Sequence, residues 1–507
     1  MSIKAQQPRF ILQLYGFAQC STNHALPCYT LWVFHAQATL LMPTFRLVFQ
    51  TPIWLALVFS VGFAQAQTPD VGGKPTAAPV PAFADAPVSA LGRQVLDKAR
   101  PSVVQLKAFF EDNAEKSSHG SGFVVGMLDK DAVAITNYHV VSDLVMYPDK
   151  YRLEYKSPDG KTGKVRVLAI DVLHDVALVR LDGHSAPALL LNGATPLKGE
   201  RAYSVGFPLD VGLTITEGVS NGLVEEAFDE RLHYAGAING GMSGGPAFDA
   251  QGRVIGVNVS AYRFQQSVSF LVPARHAIAL LQKSNQKPLV MKEARAEVSR
   301  QLVLHAQSLL AKLPEQLPTQ TQRGVTLPTK LAAFFDCGAG GDPSTDAPVQ
   351  STRSNCSAKA GLYVNSQVYS GDINFRHQLF SSTKLDAYRF SKHMQRFVGT
   401  GQAGRGGGRK QFGPASCESR IVNNNGIELF AELCSRAYKR FDGLFDVSLR
   451  VVSSHRATEG FTSDLELSGM PFEPAMAFAQ RYLAAIKPAA SKANATVASS
   501  IKLGAQK

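Results

Sequence analysis

Gly241-Met242-Ser243-Gly244-Gly245-Pro246 sets a single hydroxyl in a run dominated by glycine and proline. Such a backbone turns sharply and can bring main-chain N–H groups close to a reacting atom. Serine is a weak nucleophile unaided, so the run has chemical meaning only with a base and an orienting acid elsewhere. His139, in the stretch 134–141, is the candidate base; the run reads as an apolar strand with the imidazole at its end, where a cleft could lie. Asp175, which opens the apolar stretch 176–181, is the candidate acid. Each has a plain structural reading when taken singly: a satisfied histidine, an aspartate at a turn, a flexible loop. Together, in the order His, Asp, Ser, they make the set that acyl transfer requires. Two aspartates compete with Asp175. Asp143 lies four residues after His139 and reads as a solvated or capping group if that segment is helical. Asp171 is not directly followed by the Val-Ala-Leu run, so Asp175 is preferred.

The elements that must position these groups are short. Apolar runs at 102–110, 165–170 and 254–259 are separated by Gly, Pro, Asp and Asn, and few helix-period stretches intervene. That pattern predicts antiparallel strands closing into small barrels.

Several motifs give residues 96–281 a family resemblance. His119-Gly-Ser-Gly-Phe-Val-Val125, Thr136-Asn-Tyr-His-Val-Val141, His174-Asp-Val-Ala-Leu178 and Ala237-Ile-Asn-Gly-Gly-Met-Ser-Gly-Gly-Pro246 resemble those of trypsin-like peptidases of the HtrA/Deg type. Residues 95–106 resemble the opening strand of that family, and 252–257 with 269–273 its closing strands. The resemblance implies a mainly β fold, with two perpendicular six-stranded barrels and a cleft between them. It implies that Ser243 attacks a peptide carbonyl, that His139 shuttles the proton, and that Asp175 holds the imidazole. The N–H groups of Gly241 and Ser243 would bind the oxyanion, each such donor contributing on the order of 3 kcal/mol.

Met242 departs from the family, which carries Asn or Asp there. A catalytically silent relative, acting as a binding or chaperone module with its oxyanion loop collapsed, is therefore the alternative. By the same analogy the specificity pocket is bordered by Ile238, Val257 and Val259. No carboxylate stands there, so small or medium apolar residues are expected before the cleaved bond, with broad selectivity. Ile238 packing the barrel is the plain counter-reading. No signature of a PDZ domain follows the peptidase region. Polypeptides, unfolded or misfolded, are the expected partners, with no cofactor, metal or nucleic acid; the resemblance allows an oligomer.

Targeting signals point outside the cytoplasm. Met42-Pro-Thr-Phe-Arg46 is a basic start, an apolar stretch follows to Phe63, and Ala64-Gln-Ala66 is a small-residue cleavage site. Residues 42–66 are thus expected to be a signal peptide for periplasmic or secreted protein, with 1–41 an upstream extension. The apolar stretch is shorter than the roughly 20 residues of a spanning helix, which favours cleavage over anchoring. The formal charge is +12. The basic, glycine-rich run 405–410 lacks the phosphate-loop pattern and reads as a solvated loop.

Four cysteines follow residue 66, an even number that suits an oxidising compartment. Asn425-Gly426 is a strong hairpin signal. Counting outward pairs Val422 with Leu429 and sets Cys417 opposite Cys434, at a non-hydrogen-bonded position with Cα atoms about 4.5 Å apart. A Cys417–Cys434 disulfide is predicted and, by elimination, Cys337–Cys356. Zinc is the alternative for these cysteines, unsupported by any Cys-x-x-Cys spacing. Residues 67–92 read as a Pro/Ala-rich linker and 93–285 as the peptidase. Residues 286–327 read as one long helix over 288–313 and a connector. A disulfide-containing α+β domain follows over 328–487, with a meander of strands at 427–433, 445–452 and 461–467 and a helix at 474–486. The last segment, 488–507, reads as a disordered tail.

Overall fold

The computed structural model describes residues 88–489, apart from 262–267, 343, 345, 400–407 and 409. The expected signal segment, the upstream extension, most of the linker and glycine-rich run, and nearly all of the tail lie outside the described residues.

Strands with one face inside and one outside form wherever apolar residues alternate, as in Thr162–Asp171, whose inward residues Val165, Val167 and Ile170 are buried. Six such strands close the first barrel. They are β1 (Val103–Phe110), β2 (Lys116–Leu128), β3 (Asp131–Thr136), β4 (Tyr151–Lys156), β5 (Thr162–Asp171) and β6 (Val176–Leu181), in the order β1-β2-β3-β6-β5-β4. The second barrel repeats this order of connection. Its strands are β7 (Glu200–Gly206), β8 (Thr214–Leu223), β9 (Leu232–Ala235), β10 (Pro246–Phe248), β11 (Val254–Ala261) and β12 (Ser269–Pro273), ordered β10-β11-β12-β9-β8-β7. Phe123, Leu178, Tyr203, Phe248 and Val257 fuse the two barrels through one buried cluster.

The chain enters this unit differently from expectation. The segment read as linker and opening strand forms helix α1 (Ala90–Ala99). Ser89 Oγ caps it by accepting from Gly92 N at 3.1 Å, and Val95 and Ala99 bury against the barrels. Pro101 lies in the short 3-10 turn that follows the helix, and β1 begins at Val103. Helix α2 (Tyr138–Met146) follows β3, and α3 (Ala274–Lys283) closes the second barrel.

Beyond residue 285 comes α4 (Met291–Ala311). The expected connector contains a hairpin, β13 (Thr319–Gln322) and β14 (Val325–Pro328), turned at Arg323 and Gly324, both at positive φ. Thr and Gln in alternation hide a strand from any reading by hydrophobicity. A seven-stranded antiparallel sheet follows. It is built from β15 (Asp336–Gly341), β16 (Gln350–Ser357), β19 (Asp372–Ser381), β20 (Ser416–Asn424), β21 (Ile427–Ala437), β22 (Leu444–Arg456) and β23 (Glu459–Pro471). Its order is β15-β16-β19-β23-β22-β21-β20, so the expected meander is its β21-β22-β23 portion. Between β16 and β19, β17 (Leu362–Asn365) and β18 (Val368–Ser370) form a separate hairpin. Helix α5 (Phe472–Ala484) and α4 cover one sheet face.

Val422 pairs with Leu429 and Cys417 with Cys434, as counted from the Asn425-Gly426 turn. The Cys417–Cys434 disulfide spans Cα atoms 4.0 Å apart, and Cys337–Cys356 joins β15 to β16 at 4.1 Å. No helix among the described residues is long and apolar enough to cross a membrane.

Packing crosses the boundary at 285. Val298 and Leu302 of α4, Leu362, Val364 and Val368 of the β17–β18 hairpin, and Phe412 share one buried cluster with the first barrel and α2.

Candidate active site

Strand β3 ends at Thr136, and α2 begins two residues later, so His139 lies in the first turn of a helix rather than at a strand end. Asp175 lies in the turn between β5 and β6 at φ +57°, a conformation Asp tolerates better than most residues. Asn137 donates its side-chain amide to the Asp175 carbonyl at 2.8 Å, which ties the two segments together. Asp175 then meets His139 twice. Oδ1 accepts from the His139 backbone N–H at 2.9 Å, and Oδ2 pairs with Nδ1 at 2.7 Å. Burial opposes charging of the imidazole, but the Asp175 charge and its hydrogen bond outweigh burial, and the His139 pKa is raised. The competing aspartates have other partners. Asp171 Oδ2 holds His174 Nδ1 at 2.7 Å, and Asp143 faces Ser366, whose hydrogen bonds oppose the upward pull of burial on its pKa.

Ser243 comes from the second barrel, and its loop is held from both sides. From the first barrel, Ser121 N donates to the Ser243 carbonyl at 2.7 Å, and Ser121 Oγ donates to the Gly241 carbonyl at 2.7 Å. From the second, Gly244 N donates to the Asn258 carbonyl at 2.8 Å. The buried Asn258 amide donates to the carbonyls of Val205 and Met242, and its oxygen accepts from Ser204 Oγ at 2.8 Å. Gly241 and Gly244 stand at φ +98° and +85°, and a Cβ there would fall 2.4 Å from the Phe207 carbonyl or 2.2 Å from the Ser121 carbonyl. Glycine is therefore required at both positions. The Ser243 hydroxyl donates to the Val259 carbonyl at 3.1 Å. No hydrogen bond joins it to His139 in this state.

Met242 is fully enclosed by Ala202, Leu232, Tyr234, Ile238, Ile255 and Leu271. The loop is thus anchored by apolar packing. Met242→Asn is expected to destabilise the fold by about 2–4 kcal/mol, by cavity and by an unpaired amide, and denaturant unfolding would measure it. An unchanged midpoint would contradict this anchoring.

Of the residues expected around a specificity pocket, Val257 is corrected: it is 0% exposed and belongs to the core between the barrels, so it presents no surface to a bound chain. Ile238 packs against Met242, and partly buried Val259 offers its carbonyl to Ser243.

Sequence reasoning missed four residues that serve this geometry. Ser121 lies inside the motif 119–125 and Asn258 inside the apolar run 254–259, and each reads there only as strand. Gln301 on α4 is buried; it accepts from Val172 N at 2.6 Å and donates to the Ile170 carbonyl at 3.0 Å, fixing the strand end that leads to Asp175. His119 turns its buried Nε2, without a hydrogen-bond partner among the described residues, toward Gly241. Burial, with Lys116 and Lys107, lowers its pKa.

Two barrels with a His–Asp pair on one and a glycine-bound serine on the other define a class, and comparison with known proteins agrees. Residues 120–257 match the family model described as a trypsin-like peptidase domain. Residues 120–257 therefore form a trypsin-like peptidase domain, and the chain is similar to HtrA and Deg-type serine proteases. It is 27% identical over 300 residues to the mitochondrial serine protease HTRA2 of Bos taurus, covering 54% of this chain and 63% of that one. It is 29% identical over 208 residues to serine protease HTRA1 of Xenopus tropicalis, covering 38% and 43%. It is 32% identical over 171 residues to a probable periplasmic serine endoprotease, DegP-like, of Pseudomonas fluorescens, covering 31% and 33%. The match thus spans between a third and just under two thirds of these relatives' length.

Proposed function

We propose that this protein is a serine endopeptidase that cleaves polypeptides by acyl transfer. The observation that carries the reading is the 2.7 Å pairing of His139 Nδ1 with Asp175, opposite a serine loop cross-braced from both barrels. In the reaction the Ser243 hydroxyl leaves the Val259 carbonyl, gives its proton to His139 Nε2 and attacks the peptide carbonyl. The N–H groups of Gly241 and Ser243 stabilise the oxyanion, and His139 returns the proton to the leaving amine. Asp175 holds Nδ1–H and balances the imidazolium charge. Cleavage after small or medium apolar residues follows from the lack of any carboxylate at Ile238 and Val259. The two disulfides and the secretory signal at 42–66 support a periplasmic or secreted location, and unfolded or misfolded chains are the substrates proposed.

The hydroxyl resting on Val259 favours one alternative, a silent relative that binds chains without cutting them. Fluorophosphonate labelling separates the two. Labelling at Ser243, its loss in Ser243→Ala and an accompanying fall in peptide hydrolysis of about 10⁴-fold or more are expected. No labelling of folded protein between pH 7 and 9 would leave the binder. Because Asp175 raises the His139 pKa, the acid limb of kcat/KM is expected above the ordinary histidine value of 6.5, activity falling as pH drops through it.

A further inference from the structure

We propose that Tyr363, backed by Tyr369, forms one wall of the substrate cleft beside His139 and selects a large apolar or aromatic side chain next to the cleaved bond, on its leaving-group side. The inference rests on the peptidase reading and adds to it a subsite made by the region beyond residue 285.

The hairpin β17–β18 is held firmly on the catalytic helix. Tyr138, adjacent to His139, donates its buried hydroxyl to the Val364 carbonyl at 3.0 Å. Leu362, Val364 and Val368 turn inward and are buried in the core of the first barrel. Gln367 N donates to Asn365 Oδ1 at 2.8 Å, closing the turn, and Gln411 reaches both Gln367 and the Tyr147 hydroxyl. Tyr438 donates its hydroxyl proton to Asp446 Oδ1 at 2.8 Å, with the Tyr369 carbonyl 3.3 Å from the Tyr438 oxygen. The backbone that presents Tyr363 is therefore preorganised.

The tyrosines themselves are not used as core. The Tyr363 ring stands edge-on to the His139 imidazole, centroids 5.9 Å apart at 76°, and its phenol interacts with Ser142 one turn along the helix. Tyr363 is only half buried. Tyr369 meets it at 5.4 Å and 85°, yet is 64% exposed between buried Val368 and Ser370. An anchored strand that keeps its hydrophobic residues inside and two aromatic rings at the surface offers those rings to a visitor.

The chemistry identifies that visitor. A base must come within hydrogen-bond reach of both the nucleophile and the leaving nitrogen, so the cleaved bond lies against the imidazole. A side chain flanking that bond then lies within contact range of a ring 5.9 Å from the imidazole. Two aromatic rings set edge to face favour an apolar or aromatic partner over a small or charged one.

The test uses the full chain and internally quenched peptides that differ only in the residues flanking the cleaved bond. Competent sites are counted by fluorophosphonate. In wild type, Phe or Leu is expected to be preferred over Ser at the flanking position on the leaving-group side. Tyr363→Ala is expected to reduce that kcat/KM ratio about tenfold, the size of effect a lost apolar contact has on selection. The ratio is unaffected by how much of the variant folds, and a purely structural role would lower both substrates together. Tyr369→Ala, an exposed change that spares the core, is expected to reduce the same ratio about threefold. Unchanged ratios in both variants, with wild type labelled and active, overturn the subsite and leave the peptidase reading intact. A wild type that neither labels nor cleaves overturns both.

Discussion

Asp175→Asn is expected to lower kcat/KM by about 10⁴-fold while leaving the folded state nearly as stable as wild type. The geometry dictates the cause. Oδ1 of Asp175 accepts from the His139 backbone N–H, so an asparagine must place its oxygen there. Its NH₂ group then faces Nδ1, where Oδ2 now sits at 2.7 Å. Two donors cannot share that contact, so the imidazole proton moves to Nε2, the atom that must accept the serine proton. Asparagine tolerates φ +57° about as well as aspartate, which keeps the turn intact. Parallel measurement of kcat/KM and thermal midpoint checks both halves. Wild-type turnover would show that Asp175 does not set the tautomer.

The second large effect concerns the extent of the catalytic unit. A chain ending at residue 285 is expected to be insoluble or unfolded and to take up no fluorophosphonate. It would strip Val298, Leu302, Leu362, Val364 and Val368 from the core of the first barrel. Each large buried aliphatic side chain is worth roughly 1.5–3 kcal/mol, so losing several contacts of this kind approaches the 5–15 kcal/mol typical of whole-domain stability. The cut also removes Gln301 from Val172 N and Ile170 O and takes the Val364 carbonyl from the Tyr138 hydroxyl. Soluble yield, circular dichroism and labelling would measure the outcome. A folded, labelled fragment would show that the two cores are independent.

Some of this arrangement was legible in sequence and some was not. His139, Asp175 and Ser243 stood out because proton relay and nucleophilic attack demand particular side chains, and because one follows an apolar strand, one precedes another and one lies among glycines. The Cys417–Cys434 pairing was legible because a two-residue turn at Asn425-Gly426 fixes register, and register fixes every opposite pair. Ser121, Asn258 and Gln301 were not, because they act through backbone groups brought near only by folding. Asn258 looks like any polar residue within β11 until its amide is seen spanning Val205 and Met242. The β13–β14 hairpin escaped notice because Thr and Gln carry no apolar alternation. Tyr363 lies 224 positions beyond His139, and nothing local marks it as a neighbour of the imidazole.

The bond from Tyr138 to Val364 spans 226 residues of chain. Contacts of such long sequence separation form late, since closure of so large a loop must precede any gain from it. The helix bearing His139 gains its outer support only after the ribosome has delivered residue 370 and beyond. A nascent chain therefore carries His139, Asp175 and Ser243 well before it carries the scaffold that supports them, and the proposed peptidase activity is expected only after that scaffold has been made.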